Sequence, residues 1–359
     1  MDRSLIRPLI TAALAENPDL AVLRDPGSWS ILRDNAALFG VAPVIAFIAR
    51  PYVTSEARAW CDQTLTRSWT RHETSLRDLE NAGAVLGDAG IPYIPMKGPL
   101  LARRVYQPAF LRKPSVDLDL AIRNTDLEGA CAALGRAGYE QAVSIRDARA
   151  CLHDVALYHK SKTRIELHFR MSHAAFGARV DEFFDRAVGS KLPSGRPTLL
   201  LSPTDELLHL VLHFASDRFR SLFHSYELRR MWNAAPVQLR EGVIARAVDY
   251  GFSGTIALVD IGFRLRWNQP FVPASVNLPR TWLSWGIGAD LYESLENWER
   301  PGWGLSARLR ARWLDFRTTD TPADALRMMW ILGRVAGMRL KRREWGHMRP
   351  LKSNVPRIT

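Results

Sequence analysis

Two aspartates, two residues apart, are the clearest sign of chemistry in this chain of 359 residues. They are Asp117 and Asp119 in the run VDLDLAI, whose alternation of acidic and apolar residues predicts a β-strand. Residues two apart on a strand project from one face, so the two carboxylates converge while Val116, Leu118 and Leu120 occupy the other face. Like charges this close repel one another unless a cation neutralises them, and carboxylate oxygens suit Mg²⁺ or Mn²⁺. The pair therefore predicts a divalent-metal site.

A second run, RIELHF, has the same alternation. Ile165, Leu167 and Phe169 fall on one strand face, and Glu166 and His168 fall on the other. If the two strands are neighbours, Glu166 completes a triad of carboxylates. His168 either orients a ligand or is a hydrogen-bonded structural histidine. Acid and apolar alternation also describes strands whose carboxylates only face water. The metal hypothesis is strengthened because a glycine turn between a strand and a helix, the Asp-x-Asp strand and a later single acid on a strand occur in this order, and only the place of Glu166 depends on the two strands being adjacent.

The spacing of apolar and turn residues along the chain predicts the helices and strands that must position these residues. Residues 1–85 have helical apolar spacing, and residues 86–201 contain short apolar or alternating runs between turn residues. Helical spacing returns over residues 202–359. We therefore expect an α+β protein with an N-terminal helical region, an α/β core and a C-terminal helical region with a basic tail.

Local signals fix several boundaries inside the α/β zone. Gly98 and Pro99 follow the run IPYIPM, and proline suits the first position of a helix because its missing N–H has no partner there. Ser202 before Pro203 predicts the start of the first C-terminal helix. Pro95 fits poorly in a central strand, so the run IPYIPM is expected to form an edge strand or a bulged one.

Charge and cysteine usage limit the class of protein. The formal net charge is +12, and the last 55 residues contain 13 Lys and Arg against 4 Asp and Glu. This basic segment is either a packed helix with a solvated basic end or a surface for an anionic membrane or an acidic partner. Nucleic-acid binding is possible but is not favoured, because no readout motif is present. The three separated cysteines and the lack of a transmembrane run predict a cytoplasmic setting.

Four runs in a fixed order resemble a known family. MKGPLLARRVY, KPSVDLDLAI, LGRAGYE and RIELHF, within about residues 85–215, are similar to the uncharacterised bacterial nucleotidyltransferase-like family of the DNA polymerase beta superfamily. The resemblance implies a polymerase-beta-type nucleotidyltransferase core, a small mixed sheet with helices. It implies that Asp117, Asp119 and Glu166 are catalytic and bind the metal. It also implies nucleotide contacts at Gly98 and at two lysines, Lys97 and Lys113, although the usual Gly-Ser of the superfamily is replaced by Lys-Gly.

The same resemblance implies an activity. A nucleoside triphosphate would be the substrate, Mg²⁺ or Mn²⁺ the cofactor, and a hydroxyl on a small molecule, peptide or protein the acceptor of the nucleoside monophosphate. Pyrophosphate would be released. Two alternatives stay open: a catalytically degenerate fold that acts as a binding or scaffold module, and an RNA-directed transferase that holds its acceptor with the basic segment. Arg112, next to Lys113, is a further candidate cation for the phosphates. For Lys97, Lys113 and Arg112 alike, a solvated surface position is the alternative.

Histidines also mark the first C-terminal helix. Glu206, His209 and His213 fall on one helix face, and histidines four apart can bind zinc. The HExxH order is absent. Packing against the α/β core or lining its cleft is therefore the favoured interpretation, and a role at the acceptor site stays open.

Overall fold

A computed structural model of the protein describes residues 6–15, 18, 20–171, 178–216, 219, 221–279 and 320–344. The side chains of the predicted basic cluster at residues 340–343 lie outside this description, so its role stays a prediction. No helix among the described residues is both long enough and apolar enough to cross a lipid bilayer.

Helices dominate the described chain and flank a small sheet. The helices before the first strand and those after the last confirm the expected α+β class with flanking helical regions. In chain order the helices are α1 (Ile6–Ala13), α2 (Leu20–Arg24), α3 (Pro26–Ala36), α4 (Ala42–Ala49), α5 (Ser55–Asp88), α6 (Gly98–Val105), α7 (Leu127–Arg136), α8 (Ile145–Cys151), α9 (Val180–Asp185), α10 (Pro203–Ser216), α11 (Leu222–Ala234), α12 (Val237–Asp249), α13 (Ser253–Trp267) and α14 (Pro322–Glu344).

The described strands form one five-stranded sheet and a separate hairpin. Within the sheet the order is β1-β2-β5-β4-β3, with β2 and β5 parallel and the other neighbours antiparallel. β1 lies at the edge of the sheet, as the proline at position 95 predicted. The strands are β1 (Tyr93–Met96), β2 (Asp117–Ile122), β3 (Glu140–Gln141), β4 (Asp154–Tyr158), β5 (Arg164–His168), and the hairpin strands β6 (Val188–Lys191) and β7 (Pro197–Leu200).

Strands β2 and β5 divide their side chains between two faces as alternation predicted. Leu118, Leu120, Ile165 and Leu167 are all buried in one hydrophobic cluster, with residues of α5 and α7. The acidic residues of the two strands project from the opposite face. Val116 was assigned to the apolar face, and this was wrong: it precedes β2 and is 76% exposed.

The first residues of helices α6 and α10 also agree with the signals in the local sequence. Pro99 lies in the first turn of α6. The Ser202 hydroxyl accepts a hydrogen bond from the backbone N–H of Asp205 at 3.2 Å, which satisfies one of the free donors at the start of α10. Each of these helices therefore begins at the residue that the local sequence predicts.

A second hydrophobic cluster joins the two helical regions. It includes Ile45 of α4 together with Val211 of α10 and Leu228 of α11, all fully buried. Residues of the helices before the sheet and of helices α10 and α11 after it therefore share one core. The sequence division at 1–85, 86–201 and 202–359 stays a prediction about domains.

Candidate functional site

The register of two parallel strands brings the predicted acids together. Residue 119 on β2 pairs with residue 166 on β5, and residue 117 pairs with residue 164. In-register residues of neighbouring strands project from the same face of a sheet. Asp119 and Glu166 are therefore side by side, and the adjacency on which the place of Glu166 in the triad depended is observed.

Asp119 lies at the centre of the site and is almost completely buried, with 6% of its surface exposed. One of its carboxylate oxygens, Oδ2, is 3.0 Å from Nζ of Lys97, and the other, Oδ1, is 3.0 Å from Nε2 of His168. Burial by itself raises the pKa of Asp119, but the Lys97 charge and then the His168 hydrogen bond outweigh it and hold this pKa well below its ordinary value. Asp119 is therefore a stable carboxylate despite its burial.

Glu166 has the opposite electrostatic character. Burial, followed by the negative charges of Asp119 and Asp117, raises its pKa to about 7. One oxygen, Oε1, is 2.6 Å from a nitrogen of Arg164, and the other, Oε2, is 3.8 Å from Nε2 of His168. Two neighbouring carboxyl groups thus differ in protonation near neutral pH, which is the pattern of groups with distinct roles in acid and base chemistry.

Asp117 is the most peripheral of the three acids in its contacts. It shares the face of Asp119, and its Oδ2 is 2.6 Å from the same Arg164 nitrogen that contacts Glu166. Burial lowers the pKa of Arg164, but Glu166 and then Asp117 outweigh this and raise it. Arg164 is the site residue that sequence reasoning missed. Its signal was present, because Arg164 precedes Glu166 by two residues and must share its strand face.

His168 joins the acids in the one group of potential metal ligands found in the described part of the chain. Donor atoms of Asp119, Glu166 and His168 all lie within 4.8 Å of one another. Carboxylate oxygens and an imidazole nitrogen are suitable ligands for a divalent ion, so this cluster fits the metal that the sequence predicted. Asp117, the remaining predicted ligand, is outside that group, and its role as a ligand stays a prediction.

The turn between β1 and α6 lies beside the acids. Lys97 has φ of 53° and Gly98 has φ of 58°, so both occupy the left-handed region. This conformation is unusual for a lysine and costs of order 1–2 kcal/mol. It occurs at the residue whose ammonium contacts Asp119. A Cβ added to Gly98 would meet no atom within 4 Å, so this turn needs glycine for its backbone angle rather than for space. Phosphate binding by Lys97 and Gly98 stays a prediction.

The two other candidate cations differ sharply from one another. Arg112 is buried and makes a two-pronged ion pair with Glu227 of α11, at 2.6 and 2.9 Å. Its guanidinium is therefore held by the C-terminal helices, which argues against a contact with phosphates. Lys113 is exposed, with its Nζ 5.8 Å from the ring centre of Phe223. It lines a cavity of about 10 Å³ together with Gly98.

The histidines of α10 lie close to the site but outside the ligand group. His209 is 5% exposed, and neither of its ring nitrogens has a hydrogen-bond partner. Burial, and then the charge of Lys97, lowers its pKa well below the ordinary value. The ring of His213 is 6.3 Å from the ring of His209. His209 thus places a neutral, buried imidazole near the charged cluster, and its packing or cleft-lining role stays a prediction.

The fold is a small mixed sheet flanked by helices, consistent with a nucleotidyltransferase core. It has an Asp-x-Asp pair on one strand, a third acid on the parallel neighbour and a glycine turn at a helix start. The sequence model of a family described as "Uncharacterised nucleotidyltransferase" matches residues 56–259. This match covers more than half of the 359 residues, and the chain belongs to that family. No curated protein matches the chain.

Proposed function

We propose that the protein is a metal-dependent nucleotidyltransferase that moves a nucleoside monophosphate from a nucleoside triphosphate to a hydroxyl acceptor. The acceptor is a small molecule, a peptide or a protein. The observation that carries the proposal is the pairing of Asp119 with Glu166 on adjacent parallel strands, in a chain of a nucleotidyltransferase family. The free, buried thiols of Cys61 and Cys131 support a reducing, cytoplasmic setting.

The chemistry requires one bond to form and one to break at the α-phosphorus. The acceptor oxygen bonds to phosphorus, the bond to the bridging oxygen of the leaving group breaks, and pyrophosphate departs with the electron pair. A divalent ion bound at the carboxylates, Mg²⁺ or Mn²⁺, would offset the negative charge that the nucleophile approaches. The three acids Asp117, Asp119 and Glu166 would hold that ion.

Side chains of the site have separate tasks in this scheme. Asp119 stays ionised because Lys97 and His168 contact it, so it offers a permanent ligand charge. Glu166, beside Asp119 on the parallel strand, would also help to accept the proton that the acceptor hydroxyl loses. Backbone N–H groups at Gly98 and the start of α6, with the exposed Lys113, would bind the triphosphate.

A binding or scaffold module is the second candidate, and one observation favours it. In the structure the three carboxylates are compensated internally, by Lys97 at Asp119 and by Arg164 at Asp117 and Glu166. The acids therefore do not require a metal to balance their charge. A degenerate fold could retain them as a structural ion-pair network.

Labelled nucleotides distinguish the two candidates. The purified protein would be incubated with Mg²⁺ or Mn²⁺, each α-labelled nucleoside triphosphate and panels of hydroxyl acceptors. We expect label transfer that Asp119→Asn and Glu166→Gln abolish. Asp126→Asn is the matched control, because Asp126 lies outside the cluster and makes no side-chain cap bond to α7. Transfer that survives both site substitutions would contradict the site. If calorimetry shows that no nucleotide binds, the binding or scaffold module would be the remaining candidate.

A further inference from the structure

We propose that the metal site is a mixed nitrogen and oxygen site, with His168 as a direct ligand beside Asp119 and Glu166, and that it selects a transition-metal ion over Mg²⁺. The inference rests on the proposed function only in placing a metal at this cluster. It assigns to His168 a role that the carboxylate motif does not contain, and it specifies the class of ion.

The imidazole of His168 faces both carboxylates of the cluster. Nε2 of His168 is 3.0 Å from Oδ1 of Asp119 and 3.8 Å from Oε2 of Glu166, so one nitrogen faces oxygens of two carboxylates. All three donors fall within 4.8 Å of one another. His168 and Asp119 are buried, whereas Glu166 is partly open to solvent. A metal reaching the cluster from the Glu166 side would meet the imidazole nitrogen together with both oxygens.

The two carboxylate oxygens of Asp119 have different partners. Oδ2 contacts the ammonium of Lys97, whereas Oδ1 is hydrogen-bonded to Nε2 of His168, so a bound metal would replace that hydrogen bond with bonds to Oδ1 and to Nε2. Parallel pairing fixes this arrangement, because His168 follows Glu166 by two residues on β5 and both share the face of Asp119. The nitrogen is therefore placed by sheet register rather than by a mobile loop.

The donor atoms, rather than the charge, bear on the class of ion. Lys97 and Arg164 already neutralise much of the negative charge at the three carboxylates, which weakens the binding of all divalent ions alike. Mg²⁺ prefers oxygen ligands and retained water, so it gains little from an imidazole nitrogen. Imidazole nitrogen suits Co²⁺ and Zn²⁺, whose affinities for mixed sites exceed that of Mn²⁺. The ligand set thus favours ions that form strong bonds to nitrogen.

Metal binding without nucleotide tests the proposal. Calorimetry on the full, metal-stripped chain would compare Mg²⁺, Mn²⁺, Co²⁺ and Zn²⁺. We expect Co²⁺ and Zn²⁺ to bind at least about tenfold more tightly than Mg²⁺, with Mn²⁺ between them. His168→Gln should weaken Co²⁺ binding at least about tenfold, because loss of a ligand costs no less than loss of a residue that only orients one, and should leave Mg²⁺ binding little changed. His159→Gln is the control, because that histidine follows β4 and lies outside the ligand group.

A spectroscopic measurement keeps the test decisive if His168→Gln fails to fold. Pulsed electron paramagnetic resonance of Mn²⁺ bound to the unaltered protein should show coupling to a directly bound ¹⁴N nucleus. Equal affinities for Mg²⁺ and Co²⁺, or no nitrogen coupling, would overturn the proposal. Nucleotidyl transfer with Mg²⁺ but without nitrogen coupling would leave the proposed function intact and remove this inference. Selective binding of Co²⁺ without any nucleotidyl transfer would support this inference and contradict the proposed function.

Discussion

The ammonium of Lys97 lies 3.0 Å from the carboxylate of Asp119, and the side chains of both residues are more than nine-tenths buried. A lysine in a left-handed turn thus supplies the positive charge for the central acid of the candidate site. Removal of one member of a buried ion pair leaves an uncompensated charge, which is more costly than the loss of both. This relationship makes the turn and the strand interdependent.

Lys97→Met should destabilise the metal-free protein by about 3 to 5 kcal/mol, because Asp119 would stay buried without its main counter-charge. Urea unfolding in the presence of a chelator measures the free energy of unfolding. The double variant Lys97→Met, Asp119→Asn should be less destabilised than the sum of the two single variants. Lys160→Met, a substitution of an exposed lysine after β4, serves as the control. Additive losses in the double variant would show that the contact is energetically unimportant.

Arg164→Met should increase the affinity for divalent cations. The guanidinium of Arg164 contacts both Asp117 and Glu166, so it competes with a metal for their oxygens and repels it. Calorimetric titration with Mn²⁺ should be done well above pH 7, where Glu166, with its pKa of about 7, is ionised. We expect an affinity several-fold higher than that of the unaltered protein. Arg149→Met, at an ion pair with Glu128, should not change the affinity. A weaker affinity in Arg164→Met would mean that Arg164 orders the ligands instead.

Gly98→Ala should destabilise the protein by about 1 to 2 kcal/mol, because alanine is strained at positive φ even where space is available. Gly135→Ala is a matched control within α7, since a Cβ there also meets nothing within 4 Å and its φ is ordinary. That change should stabilise the protein by about 0.5 to 1 kcal/mol, because alanine favours helix. Thermal and urea unfolding measure both effects. Equal effects at the two glycines would contradict the role assigned to the turn.

Acid should destabilise the protein partly through His209. Burial and the charge of Lys97 lower the pKa of this imidazole well below 6.5, so the unfolded chain binds a proton that the folded protein does not. Stability is therefore full above about pH 6.5 and falls below it, by up to about 1.4 kcal/mol per pH unit for this group. His209→Gln should flatten that dependence. Urea unfolding at a series of pH values measures the slope, and identical slopes for the two proteins would refute the assignment.

Arg112→Met should cost about 3 to 5 kcal/mol, because Glu227 would stay buried without its partner. The double variant Arg112→Met, Glu227→Met should recover a large part of this loss, since both charges are then removed. Arg33→Met removes an exposed ion pair with Asp34 and should cost at most about 1 kcal/mol. Unfolding free energies of the four proteins provide the comparison. A double variant as unstable as Arg112→Met would indicate that packing, rather than charge, holds α11 to the core.

Local sequence was sufficient for several features of the fold. Alternation placed Leu118 and Ile165 on buried strand faces, and Pro99 and Ser202 set the starts of α6 and α10. These features depend on residues at most a few positions apart, so short-range spacing determines them. The assignment of Val116 to the buried strand face was wrong for a different reason. The end of a strand depends on pairing with its neighbour, which short-range spacing does not determine.

The pairing of the acids with cations was decided only by the tertiary structure. The sequence determined that Asp117 and Asp119 share a face and that Glu166 shares one with His168, since side chains alternate along any strand. It did not determine that Lys97 would contact Asp119, or that Arg164 would bridge the other two acids. Those contacts depend on which strands become neighbours and on the path of the turn before α6. Residues far apart in the chain meet only when the sheet forms, and spacing along one strand contains no information about that meeting.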